Sequence, residues 1–391
     1  MGDPVVVSAV RTPIGRANRG GLVDVDVFEL AKVVVGESLK ASNVPAEDLQ
    51  DLVLGEVLQG GGNVARHTAT DLGLDHVPGA AVQRACASGL QALNTVSADI
   101  RSGMTRAAIA GGSESMTRAP QVFRTRRGAY SGVEPWISPT HPDSPEAPNL
   151  NMGVTVGENA AEEVGVSREE QDEWAYHSHQ RALAAIDDGR MAEEIVAVEV
   201  PAGRRETRVV DTDEQPRRDT SVESLAQLPA MFKAGGTVTA GNASGINDGA
   251  AAMVVVDEDH ARDRGLEALA VVRGWAAVGV EPRRTGLAPS EAIPLAVERA
   301  GLRLDDISLF EINEAFAAMA VASSRVLGLD HEVVNVNGGA VGLGHPVACS
   351  GARIVVTLIH ELRRRGGGYG VASLCAGGGL GAATVIEVPK P

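Results

Sequence analysis

One pattern occurs twice in this chain and constrains its fold more than any other feature. Cys86-Ala87-Ser88-Gly89-Leu90 and Ala348-Cys349-Ser350-Gly351-Ala352 each place small residues where a helix begins. The first leads into a helical stretch, Leu90 to Ser102, whose apolar residues Leu90, Leu93, Val96 and Ile100 share one face. The second leads into a helix over Ser350 to Arg364. A short apolar strand follows each helix and ends in glycines: Ala107 to Ala110 before Gly111-Gly112, and Gly370 to Leu374 before Gly377-Gly378-Gly379. Such a recurrence predicts an α/β fold built from a duplicated unit. The 391 residues allow two to three core-forming units. Apolar residues make up 44% but aromatics only 3%. The core must therefore come from Val, Ala, Leu and Ile, as in buried parallel or mixed sheets, and a disordered chain is excluded.

The rest of the chain fits around that pattern. Val5-Val6-Val7, Leu52-Val53-Leu54-Gly55, Ile307 to Ile312, Val333-Val334-Asn335-Val336 and Ala383 to Val388 read as strands, and Phe28 to Ala41 as a helix. Ala80-Ala81-Val82 leads into Cys86. The region from Met116 to about Ala230 differs, because Pro135, Pro139, Pro142, Pro145 and Pro148 make its first part a loop. Ser167 with Glu170 three residues on marks a capped helix to about Asp187, stopped by Gly189. The expected organisation is a first half over 1–118, a loop domain over 119–245 with a return to the first half ending near 265, and a second half over 266–391.

Charge and cysteine content narrow the function. Lys and Arg number 35 against 51 Asp and Glu, a net charge of −16. That argues against nucleic acid as a partner, although one local basic patch is enough for a small anion. Three cysteines imply no disulfide framework. No apolar run approaches the ~20 residues of a membrane span. Met1 to Ile14 lacks a signal-peptide pattern, and Val388-Pro389-Lys390-Pro391 is no peroxisomal address, so a cytoplasmic protein without a membrane partner is expected. His177 and His179 sit two apart on a helix and point to different sides, so no metal site is expected there.

Four segments carry reactive groups. Cys86 lies where a strand ends and a helix begins, where backbone N–H groups favour a thiolate; a lone cysteine there also reads as a small buried hydrophobe. Cys375 precedes glycines whose uncovered N–H groups suit an oxyanion. Gly377, Gly379 and Ala382 match a dinucleotide spacing, but a strand follows where a phosphate-binding helix is required, so NAD binding is rejected. His345, in a glycine-rich loop ended by Pro346, is placed for general-base work. Asn313-Glu314 after the strand Ile307 to Ile312 is either a helix start or a polar anchor.

Cys86-Ala87-Ser88-Gly89-Leu90, Asn313-Glu314-Ala315-Phe316, Gly344-His345-Pro346 and Cys375-Ala376-Gly377-Gly378-Gly379, in this order, resemble the motifs of thiolases. Ala9 to Gly15 and Thr237 to Ala250 resemble that family too, so the likeness runs nearly end to end. It implies a five-layer αβαβα fold of two similar α/β halves with a loop-rich insertion over the site. It implies an acyltransferase working reversibly on acyl-CoA thioesters. Cys86 would carry the acyl group. His345 would take the Cys86 proton and later polarise a thioester oxygen. Cys375 would move the proton at the α-carbon of acetyl-CoA. Asn313 would hold a water that forms one oxyanion hole with His345, and the N–H groups of Cys86 and Gly377 would form the other. Arg217, Ser224, Ala243 and Ser244 would contact CoA, while Met152, Ala315 and Phe316 would line the acyl tunnel. Arg217 beside Arg218 also reads as an ordinary solvated charge. No permanently bound cofactor is implied. CoA is substrate or product, and a homodimer or homotetramer is expected.

Several positions depart from the resemblance. Asn151-Met152-Gly153 replaces a common His-Met-Gly. Thr285 stands where many members have Met, which suggests a wider pocket and a degradative enzyme for longer or bulkier chains. Cys349 reads as an incidental small residue. Residues 124–149 match no short-chain pattern; Arg124, Arg126 and Arg127 there are either an attraction for CoA phosphates or a solvated tip. Two other readings compete: a decarboxylating ketoacyl synthase, which uses His or Asn where this chain has Cys375, and a silent CoA or acyl carrier subunit.

Overall fold

The computed structural model describes residues 2–128, 132–203 and 206–390. In chain order the first elements are β1 (Pro4–Arg11), β2 (Gly15–Arg16), α1 (Val27–Ser42), β3 (Asp51–Gly55), α2 (Val64–Asp71), β4 (Ala80–Val82), α3 (Ser88–Ser102) and β5 (Ala107–Ser115). The insertion holds β6 (Phe123–Thr125), β7 (Val133–Pro135), α4 (Asn159–Val164), α5 (Arg168–Asp187), β8 (Val198–Pro201), β9 (Thr207–Val210) and α6 (Val222–Ala226). Then come β10 (Asn247–Asp257), α7 (Glu258–Arg264), β11 (Ala270–Gly279), α8 (Ala288–Arg299), β12 (Ile307–Ile312), α9 (Ala317–Leu327), α10 (Ala340–Leu343), α11 (Val347–Arg364), β13 (Gly368–Ala376) and β14 (Leu380–Val388).

The duplication shows in the strand order. The first half runs β1-β10-β5-β3-β4 and the second β11-β14-β13-β12. In each, the first two pairings are antiparallel and the next is parallel. The two strand sets join into one sheet where Val5 and Val6 pair with Val271 and Ala270. Helices α1 and α2 cover the outer face of the first half, and α8 and α9 that of the second. Helices α3 and α11 lie between, each touching strands of both halves. The result is the five-layer αβαβα arrangement, with one apolar cluster around the central helices and one under each outer layer.

Local rules account for most element ends. Asp26 and Glu29 form a capping box on α1, and Ser167 and Glu170 form the expected box on α5. Gly103, left-handed at φ 75°, ends α3.

Three expectations change. The strand expected to stop at Gly111-Gly112 runs on to Ser115. A Cβ on Gly111 would overlap the Ala251 carbonyl, and one on Gly112 the Ala348 carbonyl, so these glycines permit close approach rather than mark an end. Val333 to Val336 is not a strand: a 3₁₀ turn ends at Val333, and only Val334 bridges, in parallel, to Phe310. Asn335 is left-handed at φ 49°, and its side-chain amide takes over the strand pairing, bonding the N–H and C=O of Ile312 at 2.8 Å each. The expected proline-rich loop contains the small β6–β7 hairpin.

The central helices meet start to start. A Cβ on Gly89 would sit 2.7 Å from the Ala348 oxygen, and one on Gly351 would overlap the Leu90 backbone. Gly112→Ala is therefore expected to cost about 1–3 kcal/mol by overpacking, read from chemical denaturation. Gly203→Ala, in open space, should stay within about 0.5 kcal/mol of the parent. Equal stabilities for the two variants would contradict this packing.

Candidate active site

Cys86 projects from a tight turn between β4 and α3. Ala85 before it is left-handed at φ 44°, a conformation a side chain resists. The Ser88 hydroxyl holds the turn by accepting the Arg84 N–H at 2.8 Å and donating to the Ala85 carbonyl at 2.6 Å. Cys86 is half-buried, and burial pushes its thiol up to about 11, with Glu114 raising it further. The backbone N–H groups of Gly377 and of Cys86 itself act the other way by donating to the sulfur. That bond brings the β13–β14 turn of the second half onto the nucleophile turn of the first.

Cys375 sits near the end of β13, 1% exposed, its Sγ 3.7 Å from the Met319 Sδ. Burial pushes this thiol far above the ordinary range, and the Cys86 sulfur adds to the effect. The turn after it needs glycine at Gly378 and Gly379, with φ 96° and 75°. Thr285 closes that turn: its hydroxyl accepts the Gly379 N–H at 3.0 Å and donates to the Pro282 carbonyl at 2.6 Å. Thr285 is thus a buried brace for the Gly377 turn, a role its sequence position did not signal. From the insertion, Thr140 lies against Gly377 and Gly378 and covers the same turn.

His345 is buried just before α11. Its Nδ1 lies 2.6 Å from the Ser350 Oγ, and that hydroxyl donates its single proton to the Pro346 carbonyl at 2.8 Å. Ser350 must therefore accept from Nδ1–H, which leaves Nε2 as the lone-pair nitrogen. Nε2 is buried without a partner. Burial, then the charge of Arg353, pushes the imidazole down to about 4, so it is neutral at ordinary pH. The His345 backbone N–H donates to the Asn247 Oδ1 at 3.0 Å. Asn247 also donates to the Gly15 carbonyl at 3.0 Å, tying the histidine loop to β2.

Asn313 follows β12, its N–H donating to the Ser373 carbonyl at 2.9 Å. Its Oδ1 and Nδ2 are both buried without partners. Buried amides rarely stay unsatisfied, so this bonding capacity is kept for a substrate or a bridging water. Glu314 is the polar anchor of the two readings the sequence left open. It accepts from Trp174 Nε1 at 2.9 Å, the Ser178 hydroxyl at 2.6 Å, Asn335 Nδ2 at 2.8 Å and the Val341 N–H at 3.0 Å. It thereby locks α5 to α10, which leads into His345.

The structure brings five of the expected binding residues together. Ser244 N–H donates to the Ala315 carbonyl at 3.0 Å, Ala317 N–H to the Asn242 carbonyl at 2.8 Å, and Ala243 bridges Phe316. Phe232 meets Phe316 edge-on at 5.8 Å, and Met152 packs on the same cluster. Asn151, where the resemblance leads to His, donates to the Phe232 carbonyl at 3.0 Å. Ser224 stands apart on the exposed side of α6, its hydroxyl donating to the Ser221 carbonyl at 2.8 Å. Arg217 is exposed, and its backbone N–H donates to His179 Nδ1 at 3.3 Å. Arg124 and Arg126 both face Glu134 across the hairpin, at 2.8 and 3.9 Å. Cys349 is buried in the central apolar cluster. Among the described residues no group of three or more metal-ligating side chains forms, and no helix is long and apolar enough to cross a membrane.

The family profiles described as "Thiolase, N-terminal domain" and "Thiolase, C-terminal domain" match residues 4–259 and 266–388. The chain belongs to the thiolase family. A probable acetyl-CoA acetyltransferase of Escherichia coli (strain K12) is 45% identical over 99% of both chains. A 3-ketoacyl-CoA thiolase of Bacillus subtilis (strain 168) is 40% identical over 99% of this chain and 100% of its own. Among solved structures, human mitochondrial 3-ketoacyl-CoA thiolase superposes with a TM-score of 0.92 at 37% identity, covering 99% of each chain. The Bacillus anthracis acetyl-CoA acetyltransferase gives 0.90 at 40% identity over 100% of this chain and 99% of that one. Like its relatives, this thiolase is an acyltransferase.

Ser350→Ala removes the oxygen that holds Nδ1–H and is expected to lower thiolase kcat/KM about tenfold, the worth of one buried hydrogen bond. Parent-like kcat/KM would show that the tautomer is set elsewhere. Thr285→Val keeps the shape but frees the Gly379 N–H. It should lower kcat by a similar factor, about tenfold, and lower the melting temperature; a rate and melting temperature equal to the parent's would remove Thr285 from the site.

Proposed function

We propose that this thiolase cleaves 3-ketoacyl-CoA with CoA to give acetyl-CoA and a shortened acyl-CoA, and runs the reverse condensation, through an acyl group carried on Cys86. The observation that supports this most is the meeting of two cysteines from opposite halves, with the Gly377 N–H on the Cys86 sulfur. A single thiol serves acyl transfer alone, whereas carbon–carbon cleavage also needs a proton for the departing carbanion.

In the cleavage direction Cys86 passes its proton to His345 Nε2 as the sulfur attacks the keto carbon. The N–H groups of Gly377 and Cys86 stabilise the alkoxide that forms. The bond between the keto carbon and the α-carbon then breaks, and Cys375, held as a thiol by its burial, protonates the α-carbon. Acetyl-CoA leaves. A CoA thiol then gives its proton to the Cys375 thiolate and attacks the acyl-Cys86 carbonyl; the Cys86 sulfur leaves and takes its proton back from the His345 imidazolium, which restores both thiols and the neutral imidazole. Asn313 and His345 stabilise the thioester oxygen through the bonding capacity their buried atoms retain. Arg217, Ala243 and Ser244 hold the CoA, and Met152, Ala315 and Phe316 face the acyl chain.

The chain is further read as a cytoplasmic homo-oligomer. Three unpaired cysteines suit a reducing compartment. Phe123, Val133 and Ile137, apolar yet exposed on and beside the β6–β7 hairpin, suit a covered surface.

The direct test is a thiolysis assay with acetoacetyl-CoA and a longer 3-ketoacyl-CoA. Cys86→Ala should abolish acyl-enzyme formation. Cys375→Ala should still acylate yet fail to exchange the α-proton of acetyl-CoA; normal turnover by either variant would reject the assignment. A thiol raised to about 11 is protonated throughout the neutral range. Alkylation of Cys86 in the free enzyme should therefore keep rising from pH 6 to 9, about tenfold per unit as one proton is lost. A plateau in that window would instead reveal a standing thiolate–imidazolium pair.

A further inference from the structure

Arg16, on β2, is brought near Arg217, after β9, although the two are distant in sequence: its Nη2 donates to the Gln215 carbonyl at 3.2 Å, two residues before Arg217, and the Arg19 N–H donates to the Arg16 carbonyl in the same turn. Burial, and then the charges of Arg217 and Arg19, hold Arg16 below the usual arginine range. Burial and the charges of Arg217 and Arg16 also hold His179 neutral, down to about 4. Arg218, the next residue, pairs with Asp187 at 2.5 Å, whereas Arg16, Arg19 and Arg217 form no ion pair among the described residues. Two carboxylates face the cluster. Glu214 is occupied by the backbone N–H groups of Arg16 and Gly21, at 3.1 and 2.8 Å. Asp219 is exposed and acts on Arg16 more weakly than either arginine.

Three arginines facing only two carboxylates cost free energy in the unliganded chain, and in a chain of net charge −16 the cluster is a local exception. The Arg16 guanidinium has capacity to spare: Nη2 donates to the Gln215 carbonyl at 3.2 Å, and Nε is buried with no partner. The cluster is also one link from the catalytic loop, because the Gln215 side chain lies 3.4 Å from the Asn247 amide that holds the His345 backbone. Sequence reading singled out Arg217 alone. Only the pairing of β2 with β10, Arg16 opposite Asn247, places the second arginine here.

We propose that Arg16 and Arg217 together form an anion clamp that takes a phosphate group at the nucleotide end of CoA. The proposal rests on the functional reading above and adds Arg16 to it. The two guanidinium groups offer planar sets of N–H donors that match phosphate oxygens, and the anion supplies the charge the cluster lacks.

The test compares thiolysis by the full chain with CoA, 3′-dephospho-CoA and pantetheine as acceptor thiols, in the parent, Arg16→Gln and Arg16→Lys. The readout is the ratio of kcat/KM for CoA to that for pantetheine, which cancels any general loss from a disturbed β2. Arg16→Gln should lower this ratio about tenfold, the worth of one charge-assisted bond in a half-exposed site, mainly through KM. Arg16→Lys should lower it less. If the contact is the 3′-phosphate, the ratio of 3′-dephospho-CoA to pantetheine will not respond to Arg16→Gln; if it is the diphosphate, that ratio will fall in step. A CoA-to-pantetheine ratio unchanged in Arg16→Gln overturns the clamp. A parent that cleaves no 3-ketoacyl thioester with any thiol overturns the functional reading instead. In that case calorimetric binding of CoA against pantetheine in the same variants still decides the clamp.

Discussion

The contact between the starts of α3 and α11 is the constraint on which the rest of the molecule depends. Gly55, Gly89 and Gly112 all crowd the Ala348 carbonyl, and Gly351 crowds Leu90. Backbone approach of this kind is open only to glycine. It places two helix N-termini back to back, one two residues after Cys86 and the other two residues after His345. Both halves of the duplicated fold therefore deliver a reactive side chain from the same structural position, the junction before a central helix.

Delivery alone does not orient a side chain. The orienting groups are a second tier of polar residues with no chemistry of their own. Ser350 sets the histidine tautomer, Asn247 fixes its backbone, Glu314 and Ser178 clamp the preceding loop, and Thr285 braces the Gly377 turn. Nearly all of them are buried and engaged by two or more partners, which is the condition under which buried polar groups rigidify rather than destabilise a core. By contrast Asn313 and His345 Nε2 keep unspent bonding capacity. The difference between satisfied supports and unsatisfied reactive groups marks out the site more sharply than burial does.

The electrostatics follow from the same burial. Both catalytic thiols are raised and the imidazole is lowered, so the resting site is uncharged. A neutral resting site limits the desolvation cost of closing over a thioester, and the glycine N–H groups act when charge develops on sulfur or oxygen. Charges are instead held beneath the site. Arg11 pairs with Glu194 and Asp213 at 2.6 and 2.7 Å, fully buried, and Arg353 faces Glu311 at 3.5 Å. Of these, Arg353 reaches the chemistry, as the second cause of the neutral His345.

Much of the fold was legible in the sequence because its signals are local. Apolar runs, the caps at Asp26 and Ser167 and the small residues at both central helix starts depend on near neighbours only. So did the four reactive segments, each at the end of a recognisable element. What misled was long-range. Gly111 and Gly112 obey a strand-ending rule in isolation, yet they lie mid-strand because another backbone passes over them. Val333 to Val336 has strand composition, but Asn335 spends its side chain where a strand would spend its backbone. The bracing by Ser350, Asn247 and Thr285, and the company Arg16 keeps, had no sequence signal, because each depends on partners brought near by sheet pairing and helix crossing. Sequence by itself determined which residues are reactive and which elements carry them, since covalent identity and local propensity are properties of the chain. Only the tertiary structure decided tautomer, charge state and the pairing of Cys86 with the distant Gly377, since these depend on distance and burial, which exist only after folding.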